Sequence, residues 1–174
     1  MPGKQPANSP KVAALIYPDG IDPAPVLADV VAQLRKQGVA LAGAIQHGDS
    51  NCAMTLELLP SGRHIPISQN LGSGARGCRL DSAALAETAS LVLQSIDASP
   101  ALAVFNKFGS QEAAGNGLRD EMAAAAAAGL PVLTAVRDSL LDQWSAFTGG
   151  EYAPLACSTE AAMTWWDGLA ASCR

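Results

Sequence analysis

The sequence predicts an α/β fold of three layers, a mostly parallel β-sheet with helices on both faces and an inserted β-hairpin. Three observations carry that prediction. Short, continuous apolar runs alternate along the chain with segments whose apolar residues recur at helical spacing. The runs are apolar at successive positions, as strands covered on both sides must be. The chain has 174 residues, 49% of them hydrophobic, which is enough to fill one core. Residues 1–10 are expected to be a disordered tail and residues 11–174 a single domain.

Lys11-Val-Ala-Ala-Leu-Ile-Tyr17 is too short for a helix and stops at Pro18-Asp-Gly20, so it reads as a buried first strand. From Ala24 to Gln37, Val26, Leu27, Val30, Val31 and Leu34 keep helical spacing, and Gly38 is placed to end the helix. Val39–Gln46 follows as a second buried strand, completing a β-α-β pattern with an expected right-handed crossover. Ala53–Leu59 and His64–Ser68 flank Pro60-Ser-Gly-Arg63 and read as the hairpin. A glycine-rich loop over Leu71–Arg79 leads into a helix from Ser82 to Ser95. Asp81 is its expected N-cap, with Leu85, Ala89, Val92 and Leu93 on one face. Ala101–Phe105 is the next strand, Leu118–Ala128 an alanine-rich helix closed by Gly129, and Val132–Val136 another strand. Asp138–Phe147 and Thr159–Ala171 are expected to be helices joined through Gly149-Gly150. The tandem Trp165-Trp166 is expected to close the core or to support a subunit contact, which would make a homo-oligomer.

Charge and cysteine usage exclude several classes. The net charge is -5 and the 11 basic residues are scattered, which leaves no electrostatic footprint for nucleic acid. No apolar run approaches the roughly 20 residues needed to span a bilayer, so no membrane insertion and a cytoplasmic location are expected. Cys52, Cys78, Cys157 and Cys173 contain no C-x-x-C pair and are expected to be free thiols. His47, Cys52, His64 and Cys78 are the right types for zinc, but their spacings match no compact zinc pattern, and no metal site is assigned. Cys78, His64 and Asp81 are the residue types of a thiolate triad, yet nothing in their positions sets the geometry, and no catalytic residue is assigned.

The chemistry-bearing segments sit at strand ends. A phosphate-gripping P-loop would carry G-x-x-x-x-G-K-[ST] between the first strand and first helix, so that backbone amides cradle phosphate and lysine neutralises it. Here that place is Tyr17-Pro-Asp-Gly-Ile-Asp-Pro-Ala-Pro-Val26, with no lysine, no hydroxyl at the helix start, three prolines and two aspartates. A polar loop, Asn106–Asp120, follows the strand ending at Phe105, where ligands bind in open α/β sheets. Lys107 and Arg119 can supply charge there and Asn106 and Gln111 hydrogen bonds, unless the loop is simply solvated. Gly72-Ser-Gly-Ala-Arg-Gly77 matches G-x-G-x-x-G but lacks the first-strand context of a dinucleotide site. With Arg76 and Arg79 it forms either an anion nest or a flexible loop with solvated arginines.

Ser68-Gln-Asn-Leu-Gly-Ser-Gly-Ala-Arg-Gly-Cys-Arg-Leu-Asp81, Asn106-Lys-Phe-Gly-Ser-Gln-Glu-Ala-Ala-Gly-Asn-Gly-Leu-Arg-Asp120 and Gly129-Leu-Pro-Val-Leu-Thr-Ala-Val-Arg137 together resemble a bacterial domain-of-unknown-function family, number 2478. That family is similar in layout to small P-loop nucleoside triphosphatases (NTPases). The resemblance implies a P-loop NTPase-like fold with a degenerate phosphate loop. The magnesium segment of those enzymes, Asp-Glu-Ile-Gly-Pro-Met-Glu, corresponds to Asn106–Glu112, where only Gly109 and Glu112 match. Replacing the two leading acids by Asn106 and Lys107 turns a cation loop into one that favours anions. Family members are often encoded beside molybdate-uptake genes, which implies a tetrahedral oxoanion, molybdate or tungstate, as ligand. The expected site comprises Gly72, Ser73, Gly74, Arg76, Gly77, Arg79, Asn106, Lys107 and Arg119, with the four cations converging on one pocket. The expected role is non-hydrolytic binding, accessory to metal uptake or cofactor supply, with molybdate-transport or molybdenum-enzyme components as partners. Two alternatives stay open: a nucleotide-binding enzyme using Glu112, and a regulatory module docking through the Trp-containing C-terminus.

Overall fold

The computed structural model describes residues 9–48, 54–69 and 79–172, and a seven-stranded sheet organises them. The strands and helices are β1 (Val12–Tyr17), α1 (Ala24–Lys36), β2 (Leu41–Gly48), β3 (Met54–Leu58), β4 (His64–Pro66), β5 (Ser68–Gln69), β6 (Arg79–Leu80), α2 (Ser82–Asp97), β7 (Leu102–Phe105), α3 (Ser110–Ala113), α4 (Arg119–Ala127), β8 (Val132–Arg137), α5 (Leu141–Thr148), β9 (Ala153–Ala156) and α6 (Thr159–Ser172). The sheet order is β4-β3-β2-β7-β8-β1-β9. β2, β7, β8, β1 and β9 run parallel, whereas β3 and β4 are antiparallel. The hairpin therefore joins the sheet itself as an antiparallel edge. β1 and β2, consecutive in the chain, are separated by β7 and β8.

Alternation along the strands sorts side chains into two cores. Ala13, Leu15 and Tyr17 face α1 and α6, packing with Leu27, Val30, Leu34, Trp165 and Leu169. Ala14 faces the other way, into a core shared by Val92 of α2, Met122 of α4 and Trp144 of α5. Trp165 is buried and donates its Nε1–H to the Pro10 carbonyl at 3.0 Å, which fastens the chain just before β1; Trp166 is half-buried against the same core. Residues 1–8, most of the expected tail, lie outside the described residues.

Asp81 caps α2 as expected, its Oδ1 accepting from the Ala83 and Ala84 amides at 3.1 Å each. The buried face of that helix differs from the expected one. Val92 is buried as expected, but Leu93 is exposed, and Thr88 and Ile96 are buried in its place. Thr88 is tolerated there because its hydroxyl donates to the Ala84 carbonyl at 2.9 Å. Among the described residues no helix is long and apolar enough to cross a membrane.

Candidate functional site

The carboxyl ends of the parallel strands open into a crevice. Tyr17 ends β1, Gln46 lies near the end of β2, Asn106 and Lys107 follow β7, and Arg137 ends β8. All of them line a cavity of about 310 Å³. Its floor is apolar, with Met54, Leu56, Phe105 and Met122 among the lining residues. A second hollow of about 470 Å³ lies beside it, between the start of α1 and the end of β2, and shares Gln46, Met54, Asn106 and Lys107 with the first.

The turn between β1 and α1 is a poor phosphate cradle for reasons visible atom by atom. The Ile21 N–H donates to the Pro18 carbonyl at 3.3 Å and the Ala24 N–H to Asp22 Oδ1 at 3.0 Å. Pro23 is the N-cap residue and Pro25 lies in the first turn, so neither offers a donor. Asp22 itself lines the second hollow and would repel a phosphate.

Lys107 is held at the crevice by its neighbours. On one side the Asn106 side chain accepts the Gln46 N–H at 3.0 Å, tying the end of β7 to β2. On the other, the buried Phe108 donates its N–H to the Ala135 carbonyl at 2.9 Å and packs against Trp144 and Phe147. Lys107 between them is half-buried and lines both hollows, and among the described residues no acid pairs with it. Arg137 adds a second cation. Its one ion pair among the described residues, with the strongly exposed Asp19 at 3.5 Å, is a weak surface contact that an anion can displace. Burial lifts the Tyr17 hydroxyl above its ordinary pKa, with Arg137 opposing the shift, so Tyr17 is a neutral hydrogen-bond donor at this edge.

Glu112, the one acid retained from the magnesium segment, is turned onto the backbone. Oε2 accepts the Gly109 N–H at 3.0 Å and Oε1 the Leu118 N–H at 3.3 Å, clamping the loop between β7 and α4. Gly117, at φ +61°, makes room for this clamp: a Cβ there would strike the Glu112 carboxylate.

The other expected site residues are distributed as follows. Arg119 lines neither hollow; its guanidinium stands 5.3 Å from the centre of the Phe147 ring, where a cation–π contact holds it. Gly72, Ser73, Gly74, Arg76 and Gly77 lie outside the described residues, and Arg79 is described only through its backbone in β6. Arg137 and Tyr17 were not expected in the site. The signal for Arg137 was present, since a cation directly after an apolar strand points to the ligand-binding edge. Of the zinc candidates, His47 and His64 do meet, around Glu57, whereas Cys52 and Cys78 lie outside the described residues. The triad of Cys78, His64 and Asp81 gains no support, because Asp81 is engaged as a helix cap. Cys157 is a free thiol.

The sheet order, with five parallel strands and helices on both faces, gives the chain a three-layer α/β fold of the P-loop NTPase-like layout. The chain is similar to a human cancer-related nucleoside triphosphatase solved in solution, with 17% identity and a TM-score of 0.62 over 86% of this chain and 88% of that one. It is also similar to THEP1 from the hyperthermophile Aquifex aeolicus, with 12% identity and a TM-score of 0.65 over 94% and 99% of the two chains. At these identities the likeness is one of fold. The chain belongs to the family described as protein of unknown function DUF2478, matched over residues 12–165. Over 161 residues, 90% of its length, it is 42% identical to the molybdenum import ATP-binding protein ModC 2 of Bradyrhizobium diazoefficiens, and it spans 18% of that protein.

Proposed function

We propose that the crevice binds a small oxoanion without hydrolysing a nucleotide, with molybdate or tungstate preferred, as an accessory to metal uptake or cofactor supply. The observation that carries this reading is the pair of cations, Lys107 and Arg137, lining one cavity at the carboxyl edge of the sheet. Hydrolysis needs the opposite arrangement, a magnesium ion held by acids and a triphosphate cradled by amides. Here Asn106 and Lys107 stand where the two leading acids would be, Glu112 is engaged by backbone amides, and prolines remove donors at the start of α1. The choice of molybdate rests on the similarity to part of a protein named for molybdenum import, which also makes a molybdate-transport component the favoured partner.

The test is calorimetric titration with molybdate, tungstate, sulfate, ATP and GTP. Charge-assisted hydrogen bonds contribute about 1.5–3 kcal/mol each, so Lys107→Ala should weaken oxoanion binding at least tenfold. The apolar floor supports a second reading, a nucleotide or other organic anion bound in the same crevice. Heat from ATP or GTP, with none from the inorganic anions, would select it.

A further inference from the structure

We propose that His47, Glu57 and His64 form a binding site for a divalent transition-metal ion of the zinc class on the antiparallel edge of the sheet. The three residues come from three adjacent strands. Glu57 of β3 is directly opposite His64 of β4, and His47 of β2, paired with Thr55, is its diagonal neighbour. This register brings the three side chains together on one face.

Their candidate ligand atoms lie close together. Glu57 Oε1 lies 2.9 Å from His47 Nε2 and 3.7 Å from His64 Nε2. One ligand atom from each residue falls within 4.8 Å of the other two. An ion at zinc's usual bond lengths of about 2.0–2.1 Å, in tetrahedral geometry, needs ligand atoms roughly 3.3 Å apart, so only small side-chain adjustments separate this arrangement from coordination. The two imidazole rings stack with centroids 5.1 Å apart and 27° between their planes, and the Nε2 atom of each is the one nearest Glu57 Oε1.

The carboxylate is prepared for this role. Its other oxygen, Oε2, takes a 2.7 Å ion pair from Arg35, whose second nitrogen donates to the Leu59 carbonyl at 2.7 Å. Such an outer partner fixes the orientation of a ligating group. The histidines are partly open to solvent, with side-chain exposures of 38% for His47 and 52% for His64, so an ion can enter and a water can complete the coordination. Two imidazoles and one carboxylate, with a fourth position open, form a ligand set that suits zinc.

The experiment uses chelator-stripped full-length protein titrated with zinc by calorimetry and with cobalt by visible absorption. The expected result is one ion per chain, a higher melting temperature with zinc through preferential binding to the folded state, and cobalt bands without thiolate charge transfer. His64→Ala should weaken zinc binding at least tenfold and leave the metal-free melting temperature unchanged, because His64 is the most exposed ligand. The variant carrying both His47→Ala and His64→Ala should lose the zinc-dependent shift. Absence of zinc binding by the wild type, unchanged affinity in His64→Ala, or intense thiolate-to-cobalt bands would each overturn the proposal.

Discussion

Glu112 and Lys107 sit in the same loop, yet their surroundings give them opposite roles. Both line the crevice, but both carboxylate oxygens of Glu112 accept backbone N–H groups, whereas no acid among the described residues pairs with Lys107. Hydrogen bonds to a charged group contribute about 1.5–3 kcal/mol, so Glu112→Ala should lower stability by roughly that amount in denaturant melts. Gly117→Ala should be destabilising by the same assay, since φ +61° disfavours a side chain and its Cβ would lie 2.8 Å from Glu112 Cδ. A near-neutral Glu112→Ala would return that residue to the list of catalytic candidates. Spacing alone showed Asn106 and Lys107 to be polar residues after a buried strand. It did not show the Glu112 clamp, which depends on the turn at Gly115–Gly117 bringing the Leu118 amide back to the carboxylate. Nor did it show Arg119 on Phe147, a contact between residues far apart in sequence.

Among the elements, α1 and α4 offer separate tests. Leu34 is fully buried in the core between α1 and the sheet, and Leu34→Ala should cost roughly 2–5 kcal/mol by leaving a cavity. A change of less than about 1 kcal/mol in denaturant melts would contradict that packing. On α4, Glu121 is buried with Oε2 unpaired among the described residues, and burial, reinforced by Asp120, raises its carboxyl pKa above the ordinary value. A raised acid binds its proton more tightly when folded, so stability falls as pH rises from the ordinary carboxylate range through the raised value. Glu121→Gln should therefore stabilise the protein at neutral pH, with the gain shrinking as pH drops through that window; thermal melts across pH check the sign. Helical periodicity revealed α1 almost to the residue, from Ala24 to Lys36. β9 went unread because it is four residues long, contains Pro154 and alternates half-buried with exposed positions. An edge strand tolerates that proline, since only one side of it pairs.

For the whole molecule, alternating strands and helices foretold the layers, but strand order comes from long-range pairing that no local pattern records. That order separates β1 from β2 and gathers the ends of β1, β2, β7 and β8 around one crevice. Lys107 and Arg137 line it together with Glu112, whose carboxylate is taken up by backbone amides. Molybdate titrated into wild-type protein and Lys107→Ala, with phosphate release from ATP followed on the same samples, separates oxoanion binding from hydrolysis. Saturable molybdate binding by the wild type, at least tenfold weaker binding by the variant, and no ATP turnover by either are expected. Absence of oxoanion binding, or ATP hydrolysis above about 1 s⁻¹ that Glu112→Gln abolishes, would contradict the non-hydrolytic oxoanion-binding reading.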